Sequence, residues 1–404
     1  MRDAALAIFG VTYLLLAVGR FPPFRLDRTG IAIVGAAAMI LSGVVPLPRA
    51  AAAVDYRTLV LLFGMMIVVA NLRLSGFFRL VTARVIRIAR SPVQLLALTV
   101  AVAGVLAAFF INDVVCLVLA PLLLQMTQAL ALPPVPFLLA LATASNIGST
   151  ATITGNPQNM LVASFSGLSY RTFALHLTPV AAIGLGLDFL VLWLVYRRQL
   201  QGSIQSPGSE VRIRVHRALL IKSSLTAGAA VILFAAGVPV SNVALGAGAY
   251  LLVTRRVRPE KVYRDIDWTL LVLFIGLFVV VAGLETTAID REAFAALRAW
   301  RLDEILPLTV ATTILSNLVS NVPAVMVLKP FVSNLENSHH AWLTVAAAST
   351  LAGNLTPLGS VANLIVIEQA RRAGVPVSFG AYLRVGVPVT VLTLLVTIVV
   401  LAWE

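Results

Sequence analysis

Two stretches of this chain set helix breakers and side-chain amides inside long apolar runs. Residues 145–162 read SNIGSTATITGNPQNMLV, and residues 349–366 read STLAGNLTPLGSVANLIV. Gly155 and Pro157 interrupt the first, and Gly353, Pro357 and Gly359 interrupt the second. Each interruption frees carbonyls at the end of one half-helix and N–H groups at the start of the next. The freed N–H groups carry the positive end of the helix dipole and suit an anion, whereas the freed carbonyls suit a cation or a hydroxyl donor. Thr154, Asn156, Gln158 and Asn159 add donors and acceptors to the first break. Asn354, Thr356, Ser360 and Asn363 do the same at the second. Small polar residues also serve as packing glue between membrane helices, so one such motif alone would say little.

Two further points carry chemistry, Asn112–Asp113 and Asn321–Val322. A carboxylate such as Asp113 near the middle of a bilayer costs roughly 2.5–3.5 kcal/mol unless it faces a cavity or a partner. A group so costly to charge suits a proton carrier. An Asn-Asp pair is also turn chemistry, and Asp113 could equally cap a hairpin. Asp188, in LGLDFLVLW, has few polar neighbours in sequence and is expected to pair with an arginine or to line a subunit contact. Glu285 and Glu368 stand near the ends of apolar spans and are read as interfacial. Cys116 is the single cysteine, which excludes an internal disulfide and a multi-cysteine metal site. Its thiolate could bind As(III), though a lone cysteine is more often a small buried hydrophobe. The four histidines, His176, His216, His339 and His340, fall in loops or at span ends. With no HExxH and no GxSxG, an intramembrane enzyme lacks its groups, and neither a metal nor a cofactor is expected.

Positioning these groups falls to membrane helices. Of the 404 residues 59% are hydrophobic and 12% charged, and the mean hydropathy is +0.96, too apolar for a soluble globule. The apolar windows are about 16 to 22 residues long, enough to cross a bilayer, and the alternating ten-residue segments of a β-barrel are missing. Candidate crossings are 3–19, 29–46, 57–72, 135–170 (interrupted), 174–196, 218–236, 239–254, 268–284, 340–373 (interrupted) and 379–402. Two more apolar stretches, about 93–127 and 305–335, carry IND and SNLVSN near their middles and read as re-entrant hairpins. The N-terminal run is read as a first span and not a cleaved signal peptide, because Arg20, Pro22 and Pro23 follow it without a small-residue cleavage site.

Charge tests this layout. The net charge of +13 reads as topology signals and headgroup contacts with the lipid bilayer, with no nucleic-acid partner. If the segment after the first crossing is cytoplasmic, then 22 of the 30 Lys and Arg residues are cytoplasmic, as the positive-inside rule expects. Both termini are then outside. The stretch 73–90 is a basic amphipathic segment expected along the cytoplasmic interface.

The chain also repeats. Tyr56 and Gly64 register with Trp268 and Gly276, Asn112 and Pro121 with Asn321 and Pro330, and Gly155 and Asn159 with Gly359 and Asn363. The expected organisation is a first repeat over 1–200, a cytoplasmic linker over 201–217 and a second repeat over 218–404. Each repeat has five crossings, one re-entrant hairpin and one interrupted helix. Five is odd, so the second repeat is inverted, giving an all-α polytopic membrane protein of two inverted repeats. Such repeats with matched broken helices point to a secondary transporter whose site lies between the repeats.

At SNIGSTATITGNPQN, the IND tip, SNLVSNVPA and GNLTPLGSVANLIV, the chain resembles the ion transporter superfamily. That superfamily holds arsenite/antimonite permeases, divalent-anion/sodium symporters and NhaD-type antiporters, and GNPQN with Asn-Asp at the first tip looks most like the arsenite-permease branch. Sodium-coupled dicarboxylate members carry Ser-Asn-Thr at both tips. Here the tips are Ile111-Asn112-Asp113 and Ser320-Asn321-Val322, which argues against a two-sodium mechanism. The resemblance implies a scaffold, a moving unit holding both hairpins, and elevator-like alternating access. It further implies homodimers for many members and, for a resistance permease, a soluble ATPase partner.

The expected function is proton-coupled efflux of a small inorganic substrate, arsenite or antimonite, across the cytoplasmic (inner) membrane. The alternative is a sodium- or proton-coupled symporter of an inorganic anion or carboxylate. Asn112, Asn159, Asn321 and Asn363 are expected to contact substrate, with Thr154, Asn156, Asn354, Thr356 and Ser360 around them. Gly155 and Gly359 permit the breaks, and Asp113 carries the proton. Arsenite is mostly the neutral trihydroxide near pH 7. A site without a dedicated cation would suit it, and Lys329 in the second hairpin is the nearest one in sequence.

Overall fold

The computed structural model describes residues 1–18, 26–204, 215–253, 257–287 and 300–403. Of the expectations above, Arg20, Pro22, Pro23 and most of the linker 201–217 lie outside the described residues, as do Arg25, Arg212, Arg214, Arg255 and Arg256 of the 22 residues counted as cytoplasmic.

The first half begins with α1 (Arg2–Val18), α2 (Arg28–Leu41), the short α3 (Leu47–Ala53), α4 (Tyr56–Ser75) and α5 (Phe77–Ile88). A hairpin follows, with arms α6 (Pro92–Phe109) and α7 (Asn112–Ala129). The interrupted helix is α8 (Pro134–Ser149) and α9 (Pro157–Ser166) with a 3-10 turn at Ile153–Gly155 between them, and α10 (Tyr170–Tyr196) ends the half. The second half runs in the same order. It has α11 (Arg217–Ala235), α12 (Val240–Leu252), the short α13 (Pro259–Tyr263) and α14 (Trp268–Thr287). Its hairpin arms are α15 (Ile305–Val319) and α16 (Asn321–Val332). Its interrupted helix is α17 (Ser338–Leu351) and α18 (Val361–Arg372) around a 3-10 turn at Ala352–Asn354, and α19 (Phe379–Ala402) closes it. Helices α4, α6, α7, α10, α11, α14 and α19 are long and apolar enough to cross a bilayer.

Local chemistry explains the boundaries. Asp27 caps α2 through the Gly30 N–H at 2.8 Å, and Asp55 caps α4 through the Arg57 N–H at 3.0 Å. Gly76 ends α4 at φ 88°. The amphipathic segment expected over 73–90 is α5, whose arginines share one face against buried Phe78 and Val85. Prolines sit inside matched helices, Pro121 with Pro330 and Pro179 with Pro388.

Two groups of helices result. In one, α4 packs along α12 and α14 along α2, so each long helix lies on the short helix of the other half. Gly64 permits the first contact, because a Cβ there would stand 2.5 Å from the Ala244 carbonyl. Gly276 permits the second, with 2.8 Å to the Ala32 carbonyl carbon. The other group contains both hairpins and both interrupted helices, with α10 and α19 packed together behind them.

Candidate functional site

The four helices that follow the hairpin tips and the breaks begin at one cavity of about 90 Å³, and α2 starts there too. Asn112 and Asp113 open α7, and Pro157 and Gln158 open α9. From the second half come Asn321 and Val322 of α16, and Ser360 and Val361 at the start of α18. Ser320 and Pro323 of the second tip complete the hairpin side, and Leu16, Arg28, Leu270 and Leu273 come from α1, α2 and α14. Both hairpin tips and both breaks therefore meet, with four positive helix ends aimed at a shared space. Ser320 reaches the cavity at φ 80°, a left-handed backbone that a side chain rarely adopts and that marks the second tip as strained. Asp113 is half-buried there. Its carboxyl lies close to the start of α18 at Ala362 and within electrostatic reach of Asp267.

Behind the cavity the breaks are held by a crossed network. Asn146, fully buried near the end of α8, accepts from Asn112 Nδ2 at 2.9 Å and Ser360 Oγ at 3.0 Å. Its own Nδ2 donates to Asn354 Oδ1 at 2.8 Å and Asn363 Oδ1 at 3.1 Å. The first half thus clamps the break of the second. The spacing that pairs Asn159 with Asn363 pairs Asn146 with Thr350 of α17. Thr350 Oγ1 accepts from Asn156 Nδ2 and Gln158 Nε2, each at 3.2 Å, and donates to Asn159 Oδ1 at 3.5 Å. With its amide turned to suit its neighbours, Asn321 donates to Ser349 O and Gly359 O and accepts from Gln158 Nε2, each at 3.2 Å.

The residues singled out from sequence therefore occupy two shells. Asn112, Asp113, Asn321 and Ser360 line the cavity. Asn159 and Asn363 are fully buried and hold the broken backbone together. Asn159 Nδ2 donates to the carbonyls of Ser149 and Thr152, both at 2.9 Å, and Asn363 Nδ2 to those of Gly353 and Thr356, at 2.7 and 3.2 Å. Asn156 caps α9 through the Asn159 N–H at 2.8 Å, and Asn354 Nδ2 donates to Thr143 O at 3.2 Å. Thr154 is buried against the Tyr170 hydroxyl at 3.3 Å, and Thr356 contributes its carbonyl. Gly155 and Gly359 lie where a Cβ would stand 2.2 Å from Ser149 O and 2.8 Å from Gly353 O.

Two expectations need amendment. The chain has a cation at the site: Arg28, the first residue of α2, lines the cavity. In sequence it reads as one more loop arginine, because nothing marks α2 as starting at the hairpin tips. Asp188 is fully buried inside the chain, both oxygens without a hydrogen bond and no arginine paired to it among the described residues. Glu285 forms an ion pair of 3.0 Å with Lys329, linking α14 to α16, and the Lys329 ammonium lies 5.1 Å from the Phe165 ring centre. Cys116 is buried with Sγ 3.0 Å from Ser145 Oγ, away from the cavity. Asn146 and Thr350 escaped the sequence reading because they sit inside regular helix, although the repeat register pairs them.

Comparison with known proteins follows the same architecture. A family model described as a citrate transporter matches residues 13–352. A 46 kDa membrane protein of Mycobacterium leprae is 32% identical, covering 98% of this chain and 96% of that protein. The silicon efflux transporter LSI3 of Oryza sativa subsp. japonica is 31% identical, with 90% of each chain covered. The crystal structure of the YdaH transporter of Alcanivorax borkumensis, described as having an unusual topology, matches with a TM-score of 0.63 at 17% identity. It covers 98% of this chain and 96% of that one.

Proposed function

The chain belongs to the citrate transporter family, and from that premise we propose that it is a proton-coupled exporter of a small oxyacid, arsenite or antimonite, using elevator-like alternating access. It is a multi-pass membrane transporter and not an enzyme. The observation that carries the proposal is the meeting of four helix N-termini, side-chain amides and one carboxyl, Asp113, at a single cavity. A neutral trihydroxide needs both kinds of partner. Its oxygens accept from the freed N–H groups, and its hydroxyls donate to Asp113 and to Asn112 Oδ1, which has no protein partner. Arg28 and Asp113 bring one charge of each sign, which suits a neutral cargo. A proton arriving on Asp113 removes an acceptor and releases the cargo, which couples proton entry to export. Asn159 and Asn363 act in this scheme by bracing the broken backbone behind the cavity. A relative described as a silicon efflux transporter supports the reading, since silicic acid is likewise a neutral hydroxide near pH 7. The proposal includes the inner membrane, both termini outside, a homodimer and a soluble ATPase partner.

A second reading has its own support. Arg28 and the four helix ends also favour a carboxylate, and the family description names citrate. Purified protein in proteoliposomes separates the two. Arsenite, antimonite, citrate, succinate and sulfate are offered under an imposed proton or sodium gradient. Proton-driven arsenite movement is expected, with counterflow between unlabelled and labelled substrate. Asp113→Asn should abolish driven transport yet leave counterflow. Normal pumping by Asp113→Asn would remove the proton role, and citrate movement without arsenite movement would establish the second reading.

A further inference from the structure

We propose that Arg28 is the charge filter of the cavity, a fixed cation that repels metal cations such as sodium and draws in oxygen-rich solutes. This deepens the reading above and rests on that cavity being the transport site. Three observations carry it.

The first is placement. Arg28 is half-buried and shares the cavity with Asn112, Asp113, Asn321 and Ser360. Among the described residues it forms no ion pair. Three acids stand near it: Asp113 on the wall, Asp267, whose side chain accepts the Leu270 N–H at 2.9 Å, and Asp27, the residue before Arg28, which accepts the Gly30 N–H at 2.8 Å.

The second is the repeat. The spacing that pairs Gly64 with Gly276 also pairs Ala32 with Ala244, the residues on which those glycines pack. It pairs Leu270 with Thr58, Leu273 with Leu61 and Arg28 with Val240. Thr58, Leu61 and Val240 line a second cavity of about 240 Å³. The α1–α2–α14 wall thus has a counterpart in α11–α12–α4 in which valine stands at the register of Arg28. The arginine at the second cavity, Arg57, is exposed and corresponds to Thr269, so it does not replace Arg28. Packing is satisfied by valine at this register, which leaves the arginine to chemistry.

The third is the donor count. Guanidinium offers five N–H donors, no acceptor and a charge that persists at any working pH. Added to the helix N-termini, it makes donors outnumber the acceptors on the wall's polar part, which are Asp113 and Asn112 Oδ1. A dehydrated cation would find few oxygens there, whereas hydroxyl or carboxylate oxygens find many.

The test measures electrostatics and uses no transported substrate. Val361 is exposed on the cavity wall, so Val361→Cys in a Cys116→Ala background gives one reporting thiol. Its rates of modification by anionic and cationic methanethiosulfonates are compared in membranes. With Arg28 present the anionic reagent should be favoured. Arg28→Gln should lower the anionic-to-cationic ratio roughly ten-fold, since one charge shifts the two rates oppositely, and Arg28→Lys should keep most of it. Added salt should bring the ratio of the Arg28 protein towards one, a readout that needs no change at Arg28. A ratio unchanged by Arg28→Gln, or insensitive to salt in the Arg28 protein, overturns the proposal. Failure to carry arsenite would instead defeat the substrate reading and leave this measurement intact.

Discussion

Asn146 uses every hydrogen-bonding position of its amide inside a site without water-exposed alternatives, two accepting and two donating. Buried polar groups stripped of a partner cost about 1–3 kcal/mol each. Asn146→Ala leaves four of them wanting, so a loss of about 3 kcal/mol or more is expected, read as a large drop in thermal midpoint in detergent. An unchanged midpoint would show that the network is slack. Asp188 is the contrasting case. It is buried with neither oxygen hydrogen-bonded, and nothing on the cavity depends on it. Asp188→Asn keeps its shape and removes the only charge it could carry, so stability should stay within about 1 kcal/mol of the parent. A collapse in this variant would mean that the carboxylate has a partner essential to the fold.

The elements are joined by close backbone approach as much as by side chains. A Cβ at Gly64 would meet the Ala244 carbonyl at 2.5 Å, and backbone cannot yield as a side-chain tip can. Gly64→Val and Gly276→Val should therefore both push apart the pair of helices they join, lowering the yield of folded protein several-fold. Fluorescence-detected size exclusion checks this, and normal profiles from both would show that the contact is not needed. Helix placement was legible in sequence because apolar runs, capping residues and breakers are local signals. The expected span 174–196 begins four residues earlier, at Tyr170, since Ser169 caps it through the Thr172 N–H. The tips and breaks were legible for the same reason: Asn112, Asp113, Gly155 and Pro157 are conspicuous in apolar surroundings. Arg28 and Asn146 were not, because their roles depend on which distant element comes to rest against them. The Glu285–Lys329 pair is of that kind too, a charge from a span and one from a hairpin arm that meet only in the folded chain.

Considered whole, the molecule is two copies of one plan that complete each other. The proposed topology, with both termini outside, would put the end of α2 outside and the start of α6 inside. In a Cys116→Ala background, Ser42→Cys should react with an impermeant maleimide added outside intact cells, and Ser91→Cys only after the membrane is opened. The reverse pattern would turn the proposed orientation over. The crossed clamp also bears on how the protein is made. Asn146 closes the break of the second half and Thr350 closes that of the first. A ribosome that has released only the first 200 residues has therefore put into lipid a broken helix whose fastener is not yet synthesised. Until α17 arrives, Asn156 and Gln158 lack the hydroxyl that holds them, and the insertion machinery or neighbouring water must shelter them. The nascent half-protein is the stage at which the first break has the fewest of its hydrogen bonds.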